Sequence, residues 1–526
     1  MTVAGPTLER PIPIGDLLGH GLHNKPDEIA LVSVVTTRTW TQLDEISRRL
    51  ATSYLDLGLK PGDRVASLMP NRASLLVHYV ACLKAGLVAT PLNYRYMAPE
   101  IDHALDVSDA AILLAHVERR DDLAKSELAG RLPLGLVSFH DDDEERLDGG
   151  PTYNELVDPA MPVHDWGLPA PDTGAVIFFT SGSTGKPKGV THTHETLGWM
   201  MSTFIESYEV TADDILLPGS SCSHVGGYLF SLSGLAAGAR VDIARNVVGE
   251  ELLRLLRETR PTALNMLPAA LFGLVRDHDA RHEDFSSLRF CVSGGDKVSS
   301  ELEDSFNRLT GLEITEGYGM SEIGFATKAP FGPANRLGSI GKPCAGYDLS
   351  IRDDDGNEVR VGEVGRLWCK FPGNCIGYWN RPDATAETIV DGWLDTGDVV
   401  MLDDDGYLWF RGRKKQIIVH DGSNICPQEV EDAVLAHPAV ALAGVVGVHN
   451  LVHGENVRAY ITLRDGVERP TDEELIAFAR ERVGYKAPEE IVVLDEMPLN
   501  ATGKVHRLLL KELACREHDH GEVVPS

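Results

Sequence analysis

Between Thr41 and Leu57 the apolar residues Leu43, Ile46, Leu50, Tyr54 and Leu57 return every three or four positions, which predicts an amphipathic helix. Thr41 and Asp44 form a capping-box pattern at its start, and Gly58 suits the position just past its end. A short strand at Val65–Met69, a helix over roughly Ala73–Ala85 and a strand around Leu87–Pro91 follow. Strand, helix and strand within a few dozen residues make a βαβ unit, so the fold class is α/β. The unbroken apolar run Ala175, Val176, Ile177, Phe178, Phe179 reads as a buried strand, and Val364–Leu367 and Tyr378 read as short strands of a small β region. Asp353–Asp355 and Asp403–Asp405 each precede a glycine and read as turns. The five acids Asp141–Glu145, followed by Gly149, Gly150 and Pro151, read as a solvated connection rather than a metal site.

Directly after the run at 175–179 the composition changes. Positions 180–189 hold Thr180, Ser181, Gly182, Ser183, Thr184, Gly185, Lys186, Pro187, Lys188 and Gly189. Glycines permit turns in which backbone N–H groups converge on an anion, hydroxyls add donors, and lysines add positive charge. The stretch therefore reads as a phosphate cradle, and by composition alone it reads equally as a mobile surface loop. It is not a Walker loop: Gly182 and Gly185 are too close together, and Pro187 argues against a helix starting after Lys186.

Composition narrows the setting. A chain of 526 residues exceeds what one core usually supports, so at least two domains are expected. With 49 Lys plus Arg against 79 Asp plus Glu, the formal charge of −30 argues against nucleic acid or an anionic membrane as partner. The eight cysteines form no CxxC pair, and they read as reduced thiols. No basic-then-apolar leader opens the chain and no apolar run is long enough to span a bilayer, which reads as a cytoplasmic protein without a membrane span. Cys515, His518 and His520 lie in a polar stretch that reads as a frayed tail.

The cradle closely resembles the signature loop of the adenylate-forming superfamily, which contains acyl-CoA synthetases, aryl-CoA ligases, luciferases and adenylation domains. Further motifs follow in that family's order. GDRVASLMPN and KAGLVATPLNY resemble its N-terminal lobe. CVSGGDK at 291–297, with Gly294 and Gly295, resembles the strand and turn flanking adenine. TEGYGMSE at 315–322 resembles the adenine and magnesium motif, which implies that Tyr318 stacks on adenine beside Gly319, Ser321 approaches the phosphates, and Glu322 binds Mg²⁺. GWLDTGD at 392–398 resembles the ribose motif, with Asp398 and then Arg413 as ribose contacts. The resemblance makes Lys415 the hinge, Gly422 a lining of the pantetheine tunnel, and Lys504 the catalytic lysine. His420 and Asp421 read as surface residues by default, with contact to CoA the alternative. His224 borders the acyl pocket by the same match, although Ser221, Cys222 and Ser223 replace the family's aromatic before it.

The resemblance implies a large N-terminal domain (1–412) of two α/β lobes plus a small β-barrel region, and a small mobile α+β domain (413–526). It implies two half-reactions: a carboxylic acid attacks ATP to give acyl-AMP and pyrophosphate, and the thiol of CoA then displaces AMP. Lys504 and Gly422 have opposite tasks, so the resemblance implies rotation of the C-terminal domain between them. Loading of a carrier protein, or specialisation for one half-reaction, stays open. An amino-acid substrate is disfavoured because SHVGG at 223–227 offers no acidic partner for an ammonium, and a non-catalytic sensor would lose Lys504 or Glu322. A homodimer is one assembly the resemblance admits. Gly319, Ser221–Ser223, Gly226 and Gly227 lack bulk, which predicts an open pocket for a bulky, apolar acid.

Overall fold

A computed structural model describes residues 1–141, 144–180, 187–247, 249–277, 280–295, 298–413, 416, 418–420, 423–450, 454–500 and 503–519. The chain divides into two compact units, a larger one (Thr2–Leu349 and Cys369–Leu394) and a smaller one (Met1, Ser350–Trp368 and Asp395–Ser526).

The predicted βαβ unit lies in the larger unit. Strand Arg64–Leu68 runs parallel to Val88–Pro91, and the helix Ala73–Ala85 between them ends on Gly86 in the left-handed conformation, φ +67°. The predicted amphipathic helix spans Trp40–Asp56, but its cap lies two residues earlier than the sequence pattern suggested. Thr39, extended at the end of the preceding strand, accepts from the Gln42 N–H at 3.2 Å, and Gln42 returns the bond at 3.0 Å. Thr41 instead donates its hydroxyl to the Pro26 carbonyl.

Two sheets organise this unit. One is seven-stranded, in the order Gly377–Tyr378, Lys188–Thr193, Gly174–Thr180, Val88–Pro91, Arg64–Leu68, Ile112–His116, Leu136–Phe139. The run at 175–179 is its buried centre, all five residues at most 8% exposed. Strands buried on both faces lose polar–apolar alternation, which is why this one reads as a continuous apolar run. The second sheet is nine-stranded and includes the parallel strands Ala263–Met266, Phe290–Gly294 and Ile314–Met320, with Gly324–Lys328 and then Lys342–Pro343 antiparallel beyond them.

The smaller unit carries two sheets. Val364–Lys370, Trp393–Leu402 and Leu408–Arg413 are neighbouring strands of the expected β region, although the first two begin or end in the larger unit. Among the described residues this sheet is open rather than barrel-like, because its strand order has two ends. The turns at Asp353 and Asp403 form as expected, each side chain accepting from the N–H two residues ahead at 3.0 Å. The second sheet is built on the antiparallel pair Val440–Asn450 and Gly454–Leu463. Helices Pro427–Leu435 and Asp472–Val483 contribute Val430, Val434 and Leu475 to the core against it, while the helix Arg507–Asp519 contributes Leu510 to a second cluster with Tyr460 and Met497. Cys82, Cys222, Cys291, Cys344, Cys369, Cys375 and Cys426 are buried free thiols. Among the described residues no helix is long and apolar enough to cross a membrane.

One buried acid makes stability depend on pH. Glu303, on the helix Ser300–Thr310, is 4% exposed and accepts from the Ile314 N–H at 3.2 Å. Burial, with Glu313 and Asp304 adding to it, pushes its carboxyl up to about 7 against an ordinary 4.5. A raised carboxyl pKa stabilises the fold below the unfolded value, and that contribution is lost as pH rises towards about 7. Glu303→Gln is therefore expected to melt higher than the parent near pH 8, with the two curves converging near pH 5. Parallel melting midpoints at both pH values would contradict this.

Candidate active site

The phosphate-loop segment closes a hairpin of the larger unit. Strand Gly174–Thr180 pairs antiparallel with Lys188–Thr193, and Thr180 faces Lys188 as the last pair before the loop. Ser181, Gly182, Ser183, Thr184 and Gly185 lie outside the described residues. The hairpin's flanks are fixed: His103 Nε2 bonds the Pro187 carbonyl at 2.7 Å, and the Lys188 ammonium sits 4.4 Å from the Tyr378 ring centre.

The segment expected to hold adenine is built on backbone contact. Gly294 faces Gly317 across the parallel strands, and a Cβ at Gly294 would lie 2.8 Å from the Gly317 carbonyl. Gly295 has φ +81°, which favours glycine. Tyr318, 9% exposed, donates its N–H to Thr327 Oγ1 at 3.2 Å, where the register with Gly324–Lys328 shifts. The next residue overturns an expectation. Gly319 does not open space for substrate: a Cβ there would stand 2.0 Å from the Gly324 carbonyl oxygen. Its missing side chain is a condition for closing this hairpin.

Ser321 and Glu322 follow in the turn. The Ser321 carbonyl accepts from His192 Nε2 at 2.8 Å, and burial pushes His192 down to about 4, so the imidazole is neutral near pH 7. Glu322 is 4% exposed, its carbonyl accepts from the Cys375 N–H at 2.8 Å, and its Oε1 accepts from the Tyr378 hydroxyl at 2.9 Å. Burial and the neighbouring carboxylate both push the Tyr378 phenol up, so it stays a donor.

His224 stands at the N-cap of the helix Val225–Ala236 without bonding it through its side chain. Its Nε2 lies 3.4 Å from the Asn93 amide nitrogen. With that amide donating, the ring proton belongs on Nδ1. The preceding segment is clamped by Asn71, which donates to the Ser220 carbonyl and accepts from the Cys222 N–H, both at 2.8 Å. Cys222 points into the core, 0% exposed. Gly227 approaches the Ser221 carbonyl, where a Cβ would be 2.4 Å away, but a Cβ at Gly226 would meet nothing within 4 Å. Gly226 is the glycine here that borders open space.

In the smaller unit Asp398 and Arg413 are cross-strand partners, and Arg413 Nε donates to Asp398 Oδ1 at 2.9 Å. Asp398 is 2% exposed, which leaves it an acceptor in a dry setting. Lys504 closes a turn with Asn500: its N–H donates to Asn500 Oδ1 at 3.0 Å, and its carbonyl accepts from the Asn500 N–H at 2.7 Å. Gly503 at φ +84° permits that reversal. Lys415 and Gly422 lie outside the described residues.

These features agree with likeness to known proteins. The model of the family described as AMP-binding enzyme matches residues 20–379, more than half of the chain, and that of its C-terminal domain matches residues 429–504. The chain belongs to the AMP-binding enzyme family. A feruloyl-CoA synthase from an Amycolatopsis species is 33% identical over 477 residues, 89% of this chain and 92% of that protein. A long-chain-fatty-acid–CoA ligase from Yersinia pestis is 30% identical over 523 residues, 92% of each chain. Among solved structures, ATP-bound MatB from Rhodopseudomonas palustris superposes with a TM-score of 0.87 at 25% identity, over 96% of this chain and 99% of its own. A benzoate CoA ligase from Burkholderia xenovorans LB400 superposes at 0.84 with 26% identity, over 95% and 99%. This family member is an AMP-forming acid–thiol ligase of the acyl-CoA synthetase class, as the order of its motifs implied.

Sequence reasoning missed the supporting shell of Asn71, Asn93, His192 and Tyr378, each of which acts on a motif distant in sequence. The two glycines make a direct contrast. Gly319→Ala is expected to lower the melting temperature by several degrees, since forced overpacking costs about 1–3 kcal/mol, whereas Gly226→Ala leaves it near the parent's. Equal thermal shifts in the two variants would overturn this description.

Proposed function

We propose that this enzyme activates a bulky, largely apolar carboxylic acid as its acyl-adenylate and transfers the acyl group to CoA. The observation that supports it best is the meeting of Lys188 and Glu322 on Tyr378, 134 residues apart in sequence yet sharing one ring. The end of the phosphate loop and a buried carboxylate thus converge, as binding a nucleotide polyphosphate with a cation requires. Glu322 fits a hard divalent ion: it is an acceptor-only carboxylate, buried, and linked through Tyr378 to Lys188. Mg²⁺ held there would offset charge on the phosphates of ATP.

The first half-reaction joins two anions. A carboxylate oxygen forms a bond to the α-phosphorus, and the bond to the pyrophosphate oxygen breaks with its electron pair leaving on pyrophosphate. Charge neutralisation dominates such a barrier. In this reading Thr180, Lys188 and the loop between them cradle the outer phosphates, Tyr318 stacks on adenine, and Asp398 with Arg413 holds the ribose. Lys504 stands between the carboxylate and the α-phosphate. In the second half-reaction the thiol loses its proton and attacks the acyl carbon, and AMP leaves. Gly422 lines the thiol's path, and a pivot at Lys415 between the expected domains 1–412 and 413–526 lets Lys504 and Gly422 serve in turn. His224, oriented by Asn93, borders the acid.

Gly226 supports the choice of acid, since it faces open space where a side chain would otherwise shorten the pocket. Each buried methylene contributes about 0.8 kcal/mol, roughly fourfold in affinity. The relatives that act on feruloyl and long-chain fatty acyl groups fit that direction. Measured as kcat/KM with ATP and CoA, octanoate or a cinnamate is expected to exceed acetate by at least about tenfold, and Gly226→Tyr is expected to narrow that gap. Preference for acetate in the parent enzyme would overturn the substrate reading.

Lys504→Ala is expected to lose adenylation by on the order of 10²–10³-fold while still converting supplied acyl-adenylate and CoA to thioester. Equal loss in both half-reactions would remove Lys504 from this role. A second reading draws on a 31% identical fatty acid–[acyl-carrier-protein] ligase from Streptomyces coeruleorubidus, covering 94% of each chain. Acyl-CoA formation at a rate matching AMP release favours CoA; AMP release that depends on a phosphopantetheinylated carrier favours the carrier.

A further inference from the structure

We propose that Tyr378 is a positioning residue that holds the Glu322 carboxylate in its cation-binding orientation and ties it to the strand closing the phosphate loop. The inference rests on the reading of Glu322 as the cation's carboxylate.

The backbone around Tyr378 is bonded on both sides. Gly377 and Tyr378 pair antiparallel with Thr191 and Val190, the Ile376 N–H donates to the Thr191 carbonyl at 3.0 Å, and the Trp379 N–H donates to Gly189 at 2.7 Å. One residue before this brace, the Cys375 N–H holds the Glu322 carbonyl at 2.8 Å. The segment 375–379 therefore grips the strand carrying Lys188 along one edge and the residue carrying the carboxylate at its start.

The side chain is fixed as well. The Tyr378 N–H donates to Thr385 Oγ1 at 2.9 Å, and that hydroxyl donates on to the Arg381 carbonyl at 2.9 Å. Gly377, at φ +134°, leaves room for the Thr385 side chain, whose methyl would stand 2.4 Å from a Cβ. From this support the phenol donates to Glu322 Oε1 at 2.9 Å while the face of the ring receives the Lys188 ammonium at 4.4 Å. A carboxylate held through one oxygen cannot swing freely about its terminal torsion, so the remaining acceptor positions keep one direction. Outer partners of this kind orient a metal-binding carboxylate, and their loss typically costs 10–100-fold in metal affinity. Phenylalanine would keep the ring and its contact with Lys188 and remove the hold on Glu322, together with the phenol's contact with the Thr388 side chain.

The test reads binding rather than turnover. Mg²⁺ is titrated by calorimetry into the full-length protein with α,β-methylene-ATP, for the parent, Tyr378→Phe, Glu322→Gln and the double variant. Tyr378→Phe is expected to raise the Mg²⁺ midpoint about tenfold, leave AMP binding without Mg²⁺ unchanged, and add nothing to Glu322→Gln. Replacing Tyr378 by 4-aminophenylalanine, which restores a donor on the same ring, is expected to recover most of the loss. If Glu322→Gln moves the midpoint and Tyr378→Phe does not, or their losses multiply, the positioning role is overturned and the Glu322 reading stands. If Glu322→Gln leaves the midpoint unchanged, the Glu322 reading falls and this inference with it. A Phe variant that melts early and is not rescued by the amino analogue assigns Tyr378 to folding alone and overturns the proposal.

Discussion

Close approach of backbones governs the part of the larger unit that carries Ser321 and Glu322. Strands Phe290–Gly294, Ile314–Met320 and Gly324–Lys328 come so near one another that Gly294, Gly317 and Gly319 have no room for a side chain. That proximity sets the turn from which Ser321 and Glu322 project. A residue with a Cβ at any of these positions would push the strands apart and carry the carboxylate with them. Polar side chains then lock what the backbone has placed: His192 takes the Ser321 carbonyl, and the brace at 375–379 takes Glu322. The geometry is overdetermined, as the role proposed for these groups towards an anionic ligand demands.

The motifs were legible because they break ordinary composition. Nine residues of glycine, hydroxyl and lysine with one proline follow a buried apolar run, a composition that fits an anion cradle or a surface loop alike until the family resemblance decides, and the pairing of Thr180 with Lys188 shows the hairpin that flanks it. The βαβ unit was legible from periodicity, since apolar spacing reports which face is buried. The helix cap at Thr39 was not, because Thr41 and Asp44 also fit a start and only the end of the preceding strand decides between them. The open β sheet was expected to close because family likeness carries an architecture across without its strand order.

The supporting shell was illegible for a different reason. Asn93, His192 and Tyr378 are single polar residues whose partners lie 131, 129 and 56 residues away, so nothing in the neighbouring sequence tells what they bond. Gly319 and Gly226 show the same limit from the other side. An absent side chain looks identical in sequence whether it makes room for a ligand or for a neighbouring strand. At 319 the room is filled by a carbonyl 2.0 Å from where a Cβ would sit, and at 226 it is not filled.

Gly226 has a consequence for inheritance. It sits in the first turn of the helix Val225–Ala236, and a Cβ there would meet no atom within 4 Å. On the reading proposed for this glycine, one codon can lengthen or shorten the space offered to the acid. A scaffold built this way can diversify its diet of acids by single steps, each intermediate remaining a working catalyst.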